Sequence, residues 1–183
     1  MVASYSDQRI NAAQLNQRNY VGVDNLIADR KGKINSSYVP KIGQLTKFEP
    51  SNVLIGNIRP YLKKIWFANC VGGTNGDVLV IQANAQLIKP RFLYHIMASD
   101  NFFEFDSQHA KGAKMPRGNK EMILDYGFAL PTLEKQNQIV EFLDKFDNYC
   151  HDIQDGLPAE IEARQKQYEY YRRKLLTFKH LEE

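Results

Sequence analysis

The chain has 183 residues, 43% of them hydrophobic, enough for one compact domain with its own core and an appendage. No apolar run approaches the length of about 18 residues that a membrane span needs, and Met1 to Ile10 is too polar for a secretory signal, so a cytoplasmic protein is expected. The net charge of +3 is unevenly divided: residues 1–130 hold 16 Lys and Arg against 10 Asp and Glu, and residues 131–183 hold 8 against 11, so the globular part is the basic part.

In chain order, the first distinctive segment is the turn-rich Asp29-Arg30-Lys31-Gly32-Lys33-Ile34-Asn35-Ser36-Ser37. Val53-Leu54-Ile55 follows as a short β-type run, then a second turn segment, Gly56-Asn57-Ile58-Arg59-Pro60-Tyr61. Lys64-Ile65-Trp66-Phe67-Ala68, Val78-Leu79-Val80-Ile81 and Tyr126-Gly127-Phe128-Ala129-Leu130 repeat the β pattern. These four runs predict the strands of one small sheet. Gly72-Gly73-Thr74-Asn75-Gly76 leads into a strand-like run and not a helix, so it reads as a turn and not as a phosphate cradle. Pro90 opens a helix in which Phe92, Leu93, Ile96, Met97 and Phe103 share a face that covers the sheet.

A loop with only basic charges, His109 to Lys120, precedes the boundary at Leu130-Pro131. Pro131 and Thr132 start a helix that Glu134 suits electrostatically, and Ile139, Phe142, Leu143, Phe146, Tyr149, Cys150 and Ile153 form its apolar face out to about Gln154. Asp155-Gly156 interrupts it, and Pro158 restarts a helix that reaches Phe178. Leu157, Ile161, Arg164, Tyr168, Tyr171, Leu175 and Phe178 step through that second helix at alternating intervals of four and three, a heptad seam that calls for a partner helix. Arg164 either fixes register as a polar seam residue or snorkels at the seam edge. The expected fold class is α/β (α+β): a globular domain over residues 1–130 with a small sheet, then long helices over 131–183 forming a coiled-coil-like spacer.

Charge gives the first functional pointer. Residues 29–64 hold eight basic side chains against two acidic ones, and residues 107–120 hold four against none. Clusters of this kind on loops are the footprint of a nucleic-acid surface, although solvated faces also produce them. Catalytic patterns are absent. Base methylation would need a glycine-rich cofactor loop and an Asn/Asp-Pro-Pro-aromatic pocket, and none of the seven prolines adjoins another. Asp144, Asp147, Asp152 and Asp155 read as a solvated helix face and not a metal cluster. The four histidines fall in no nucleophile motif, and Cys70 and Cys150, 80 positions apart, read as buried thiols without metal-ligand spacing.

Ile58-Arg59-Pro60-Tyr61-Leu62-Lys63-Lys64-Ile65-Trp66-Phe67-Ala68, the loop from Lys111-Gly112 to Asn119, Leu130-Pro131-x-Leu133-Glu134-x-Gln136-x-x-Ile139-Val140, Leu143-Asp144-Lys145-Phe146-Asp147, and Gly156-Leu157-Pro158-Ala159-Glu160-Ile161-Glu162-Ala163-Arg164 through Tyr168-Glu169-Tyr170-Tyr171-Arg172 occur in this order. Together they resemble the DNA-specificity subunit of type I restriction-modification systems, from about Asn19 to Leu176. The resemblance implies a target-recognition domain that reads a few base pairs, followed by one conserved helical spacer. It also implies that the chain is non-catalytic, with methylation and cleavage belonging to separate modification and restriction subunits. Family members typically carry two recognition domains and two spacers. Here there is one of each, as in a half-length subunit that dimerises or a fragment of a longer protein.

On that reading the partners are double-stranded DNA, a modification subunit, a restriction subunit in the full complex, and a second copy of the chain. No cofactor or metal is expected. A helix from Pro158 to Phe178 would span roughly 31 Å, close to the roughly 34 Å repeat of DNA, so a two-fold dimer would read an inverted repeat with an uncontacted spacer. The residues expected to hold phosphates or reach base edges are Arg30, Lys31, Lys33, Arg59, Lys111, Lys114, Arg117 and Asn119. The rival reading is a coiled-coil adaptor whose globular domain binds protein.

Overall fold

The computed structural model describes residues 1–152 and 158–177, and within them the side chains of all but 148–152 and 158–161. Eight short strands come first: β1 (Ala3–Tyr5), β2 (Arg9–Asn11), β3 (Tyr20–Val21), β4 (Gln44–Phe48), β5 (Val53–Gly56), β6 (Ile65–Phe67), β7 (Gly72–Thr74) and β8 (Val78–Ala83). Five helices follow: α1 (Pro90–Met97), α2 (Asp100–His109), α3 (Lys120–Leu124), α4 (Leu133–Asp152) and α5 (Pro158–Leu176).

The strands form two four-stranded sheets where the sequence suggested one. The first, in the order β1-β8-β5-β6, is antiparallel throughout, with Val53 opposite Ile81 and Phe67. Its inner strand β5 is buried on both faces, which explains the unbroken run Val53-Leu54-Ile55. Side chains alternate: Val53 and Ile55 join the large cluster under α1 and α2, whereas Leu54 joins a smaller cluster with Val21, Leu26, Phe48, Val78 and Val80. The second sheet, β2-β4-β7-β3, contains the one parallel pair among the described strands, β3 with β7.

Three expected elements take a different form. Gly72-Gly73-Thr74 is not a turn but buried strand β7, and a Cβ on Gly72 would stand 2.0 Å from the Asn19 carbonyl oxygen and 2.4 Å from the Phe48 ring. The glycine permits close approach of backbone, the alternative meaning of glycine in a strand. Tyr126 to Leu130 pairs with no strand among the described residues. Its aromatics pack instead on α2, Tyr126 with its ring centroid 5.3 Å from Phe102 and 5.1 Å from Phe105. The helix opened by Pro90 is two helices, because the Ser99 hydroxyl accepts from the Phe102 amide at 3.2 Å and starts α2 afresh.

Helices α4 and α5 start within two residues of the predicted positions, their predicted ends at Gln154 and Phe178 lie outside the described residues, and they are packed into the body. Ile139, Leu143 and Tyr168 belong to the large core cluster. Fully buried Gln136 accepts from the Lys89 amide at 2.7 Å and donates to the carbonyls of Leu87 at 3.2 Å and Pro131 at 2.9 Å, pinning the start of α4. Asp144 is not merely solvated: it accepts from Arg91 and bonds buried His95, each at 2.8 Å. Burial pushes the His95 imidazole down against the hydrogen bond to Asp144, so it is neutral at physiological pH. Cys70 is a half-buried free thiol, and the Cys150 side chain lies outside the described residues. Among the described residues no helix is long and apolar enough to cross a membrane.

A candidate nucleic-acid interface

Two basic segments more than 50 residues apart in sequence meet at one joint. After β5, the Asn57 amide donates to the Asp77 carbonyl at 2.8 Å, and the Arg59 amide donates to Pro116 at 2.8 Å. The Gly118 amide returns a bond to the Asn57 carbonyl at 3.1 Å. Lys111 and Arg117 close the second loop on itself through two backbone bonds of 2.9 Å. Backbone pairing of this kind holds loops that sequence polarity alone would leave mobile.

The joint rests on a buried polar contact. A Cβ on Gly118 would lie 2.4 Å from Asp106 Oδ1 and 2.9 Å from Asn57 Oδ1, so only glycine lets the loop settle there. Asp106 is 1% exposed, and among the described residues neither its carboxylate oxygens nor Asn57 Oδ1 has a hydrogen-bond partner. Burial pushes the Asp106 carboxyl up to about 6, with His109 offsetting part of the effect. Tyr5 braces the same corner by donating to the Lys120 carbonyl at 2.7 Å.

Around this joint Arg59, Lys111, Lys114 and Arg117 are exposed, as is Lys31 on the 29–37 loop. Arg117 reaches Asp77 at 3.0 Å yet keeps 58% of its side chain open to solvent. Arg59 and Lys63 bracket a short 3-10 turn in left-handed backbone, with φ of 54° and 51°; buried Pro60 anchors that turn and leaves Tyr61 55% exposed beside the basic side chains.

Other expected contact residues are engaged inside the chain. Lys33 donates to the Arg18 carbonyl at 2.8 Å and sits 5.2 Å over the Trp66 ring. Asn119 caps α3 by accepting from the Glu121 amide at 3.2 Å. Arg30 is only 20% exposed, bound to Asp100 at 2.8 Å and to Glu169 at 3.1 Å. Sequence reading missed Asp100, Asp106 and Glu169 because each acts on a group far away in the chain, and a lone carboxylate carries no local signal.

The expected seam is divided. Tyr168 faces inward, 6.4 Å between centroids from Phe146, and Tyr171 lies 6.1 Å from Phe146 and 6.4 Å from Phe142. Leu175 packs on the core and Arg164 is exposed. Part of the seam therefore has its partner helix in α4 of the same chain. Leu157 and Phe178 lie outside the described residues, as does the side chain of Ile161.

The chain is thus a mixed α/β module of two four-stranded sheets with joined basic loops, completed by the packed pair of helices α4 and α5. The chain belongs to the type I restriction modification DNA specificity domain family, whose model matches residues 11–163. It is 36% identical over 88 residues to the specificity subunit of a type I restriction enzyme of Escherichia coli, a match covering 48% of this chain and 22% of that one. The fold matches the crystal structure of the HsdS subunit from Thermoanaerobacter tengcongensis with a TM-score of 0.64 at 20% identity, over 83% of this chain and 41% of that one. A chain from a structural study of complex assembly and conformational transition of the type I R-M system aligns with a TM-score of 0.56 at 21% identity, over 96% of this chain and 50% of that one. The chain thus spans half or less of each of these proteins.

Proposed function

We propose that this chain is the non-catalytic, sequence-reading component of a type I restriction-modification complex. Residues 1–130 read one half of a bipartite DNA target, and residues 131–183 form the spacer that docks an adenine methyltransferase subunit and a second copy of the chain, with a restriction subunit joining the full complex. The observation that carries the reading is the joint of the 56–63 and 111–118 loops, which supports a single basic surface built from two segments that are separate in the sequence. Exposed Arg59, Lys111, Lys114, Arg117 and Lys31 are suited to phosphates and base edges, while Arg30, Lys33 and Asn119 contribute by shaping the loops that carry them. A two-fold dimer of such modules reads an inverted repeat, with the helices setting the distance between its halves.

Dimerisation falls to the outward side of the helices, where Phe142 and Tyr170 are 40% and 60% exposed. The direct test uses the assembled methyltransferase. Replacing Lys111, Lys114 and Arg117 together with Ala weakens binding to the target and flattens its salt dependence, by about 0.9 in the log-log slope for each phosphate that is no longer neutralised. Unchanged affinity and unchanged slope in that variant overturn the assignment of this loop.

A further inference from the structure

The basic loops are tied to the spacer helix by a cluster of five charges. Arg30 donates to Asp100 at the start of α2 and to the Ala98 carbonyl at 3.3 Å, and its other terminal nitrogen reaches Glu169 on α5 at 3.1 Å. Lys63 binds the same Asp100 oxygen, and Arg172, 3% exposed, lies 3.6 Å from Glu169 while stacking on Tyr168. Three cations thus share two carboxylates at the meeting point of the loops, α2 and α5.

The backbone beneath is committed to this arrangement. Asp29, Arg30 and Lys63 all adopt left-handed conformation, with φ of 56°, 63° and 51°. The amides of Asp29 and Arg30 donate to the carbonyls of Leu62 and Lys63 at 3.0 Å each, so the two loops are bound to each other before they are bound to α5. Glycine or asparagine would hold that conformation more cheaply, and the long cationic side chains are placed there for what they reach. Burial would raise the Asp100 carboxyl, but hydrogen bonds from Lys63 and Arg30 outweigh it and hold the group well below the usual carboxylate range. Asp100 is therefore ionised at neutral pH, while burial raises the Glu169 carboxyl against the pull of Arg172 and Arg30.

We propose that Arg30 and Glu169 are positioning residues, a joint that fixes the angle between the DNA-reading loops and helix α5 and thereby the spacing at which two half-sites are accepted. The inference rests on the functional reading above and adds to it. It also reassigns Arg30: a phosphate would have to displace two carboxylates and a carbonyl to reach this guanidinium. A DNA contact contributes to affinity for every target, whereas a joint contributes to the geometry of the pair.

The test compares the wild type with Glu169→Ala, which cuts the link to α5 and leaves Arg30 on Asp100, and with Arg30→Ala. Glu162→Ala, which breaks an exposed ion pair with Lys166 on the same helix, is the control. Each chain is assembled with its modification subunit. Methylation rates are measured on duplexes carrying the wild-type target with its spacer at the natural length, or one base pair shorter or longer. The expected result is that both variants lose at least threefold of the wild-type preference for the natural spacer, with half-site base preference and salt slope unchanged and the control equal to wild type. In the chain alone, hydrogen exchange at the Asp29 and Arg30 amides rises in Glu169→Ala while that at Arg117 and Gly118 does not. A spacing preference equal to wild type, an equal loss on all duplexes, or a lowered salt slope for Arg30→Ala overturns the joint. A wild-type assembly that methylates no bipartite site overturns the functional reading instead.

Discussion

Replacing Asp106 with Asn is expected to stabilise the protein at neutral pH, an unusual direction for a change at a fully buried site. In the wild type a carboxylate and the Asn57 amide oxygen, both acceptors, converge on Gly118 without a donor. Burial raises the Asp106 carboxyl from 3.8 to about 6. A folded value above the unfolded one means that the native state holds the proton more tightly. The associated stability is full below pH 4, declines as pH rises through 6, and is absent at pH 8. At about 1.4 kcal/mol for each pH unit between the two values, the ionised group costs the native state about 3 kcal/mol at pH 8. Asn cannot ionise, and its NH2 can donate to the Asn57 oxygen.

Urea unfolding at pH 5 and pH 8 measures the effect. Asp106→Asn is expected to gain about 2–3 kcal/mol over the wild type at pH 8 and about half of that at pH 5. The neutral buried His95 acts in the opposite sense, losing stability as pH falls below its ordinary range, and Asp100 and Asp144 lose theirs only in more acidic solution. These contributions are common to both proteins, so the difference between them isolates Asp106. Destabilisation by Asp106→Asn at pH 8, or a difference independent of pH, refutes the reasoning; it would mean that Asn57 presents its NH2 and already pairs the carboxylate.

Two further outcomes follow from the packing. Gly72→Ala forces the β7 backbone away from the Asn19 carbonyl, only 2.0 Å from the added carbon, and is expected to cost at least about 1–3 kcal/mol in a thermal or urea melt, whereas Ala at Gly76, which has open space around it, leaves the midpoint nearly unchanged. Tyr170→Glu places a charge on the outward face of α5 and is expected to release monomer in light scattering without lowering the melting temperature, whereas Tyr168→Glu buries a charge in the core of one chain and lowers it.

Much of this protein was legible in its residues. Helices α4 and α5 were legible because a 3.6-residue apolar period, a start at Pro131-Thr132 and Pro158, and 19 or 20 residues of length make a strong local signal. The central strands β5 and β8 were legible as unbroken apolar runs, and the basic loops as charge among turn-formers. The family resemblance lay in long ordered motifs. The strands of the second sheet were not legible. They are two to five residues long, and β7 is Gly-Gly-Thr, a sequence that suits a turn until the Asn19 carbonyl and Phe48 occupy the space where a side chain would stand.

Tertiary structure also decided the roles of individual charges. Arg30, Lys31 and Lys33 are equivalent in sequence, one basic cluster on one loop. Folding brings Asp100 and Glu169 to the first, leaves the second in solvent and lays the third over Trp66. It likewise turns Tyr168 toward α4 and leaves Arg164 exposed, dividing a stripe that the heptad pattern treats as continuous. Periodicity and composition are properties of neighbours along the chain and can be read from it. Whether Arg30 is neutralised or left in solvent depends on carboxylates 70 or more positions away, and only the folded chain brings those into contact.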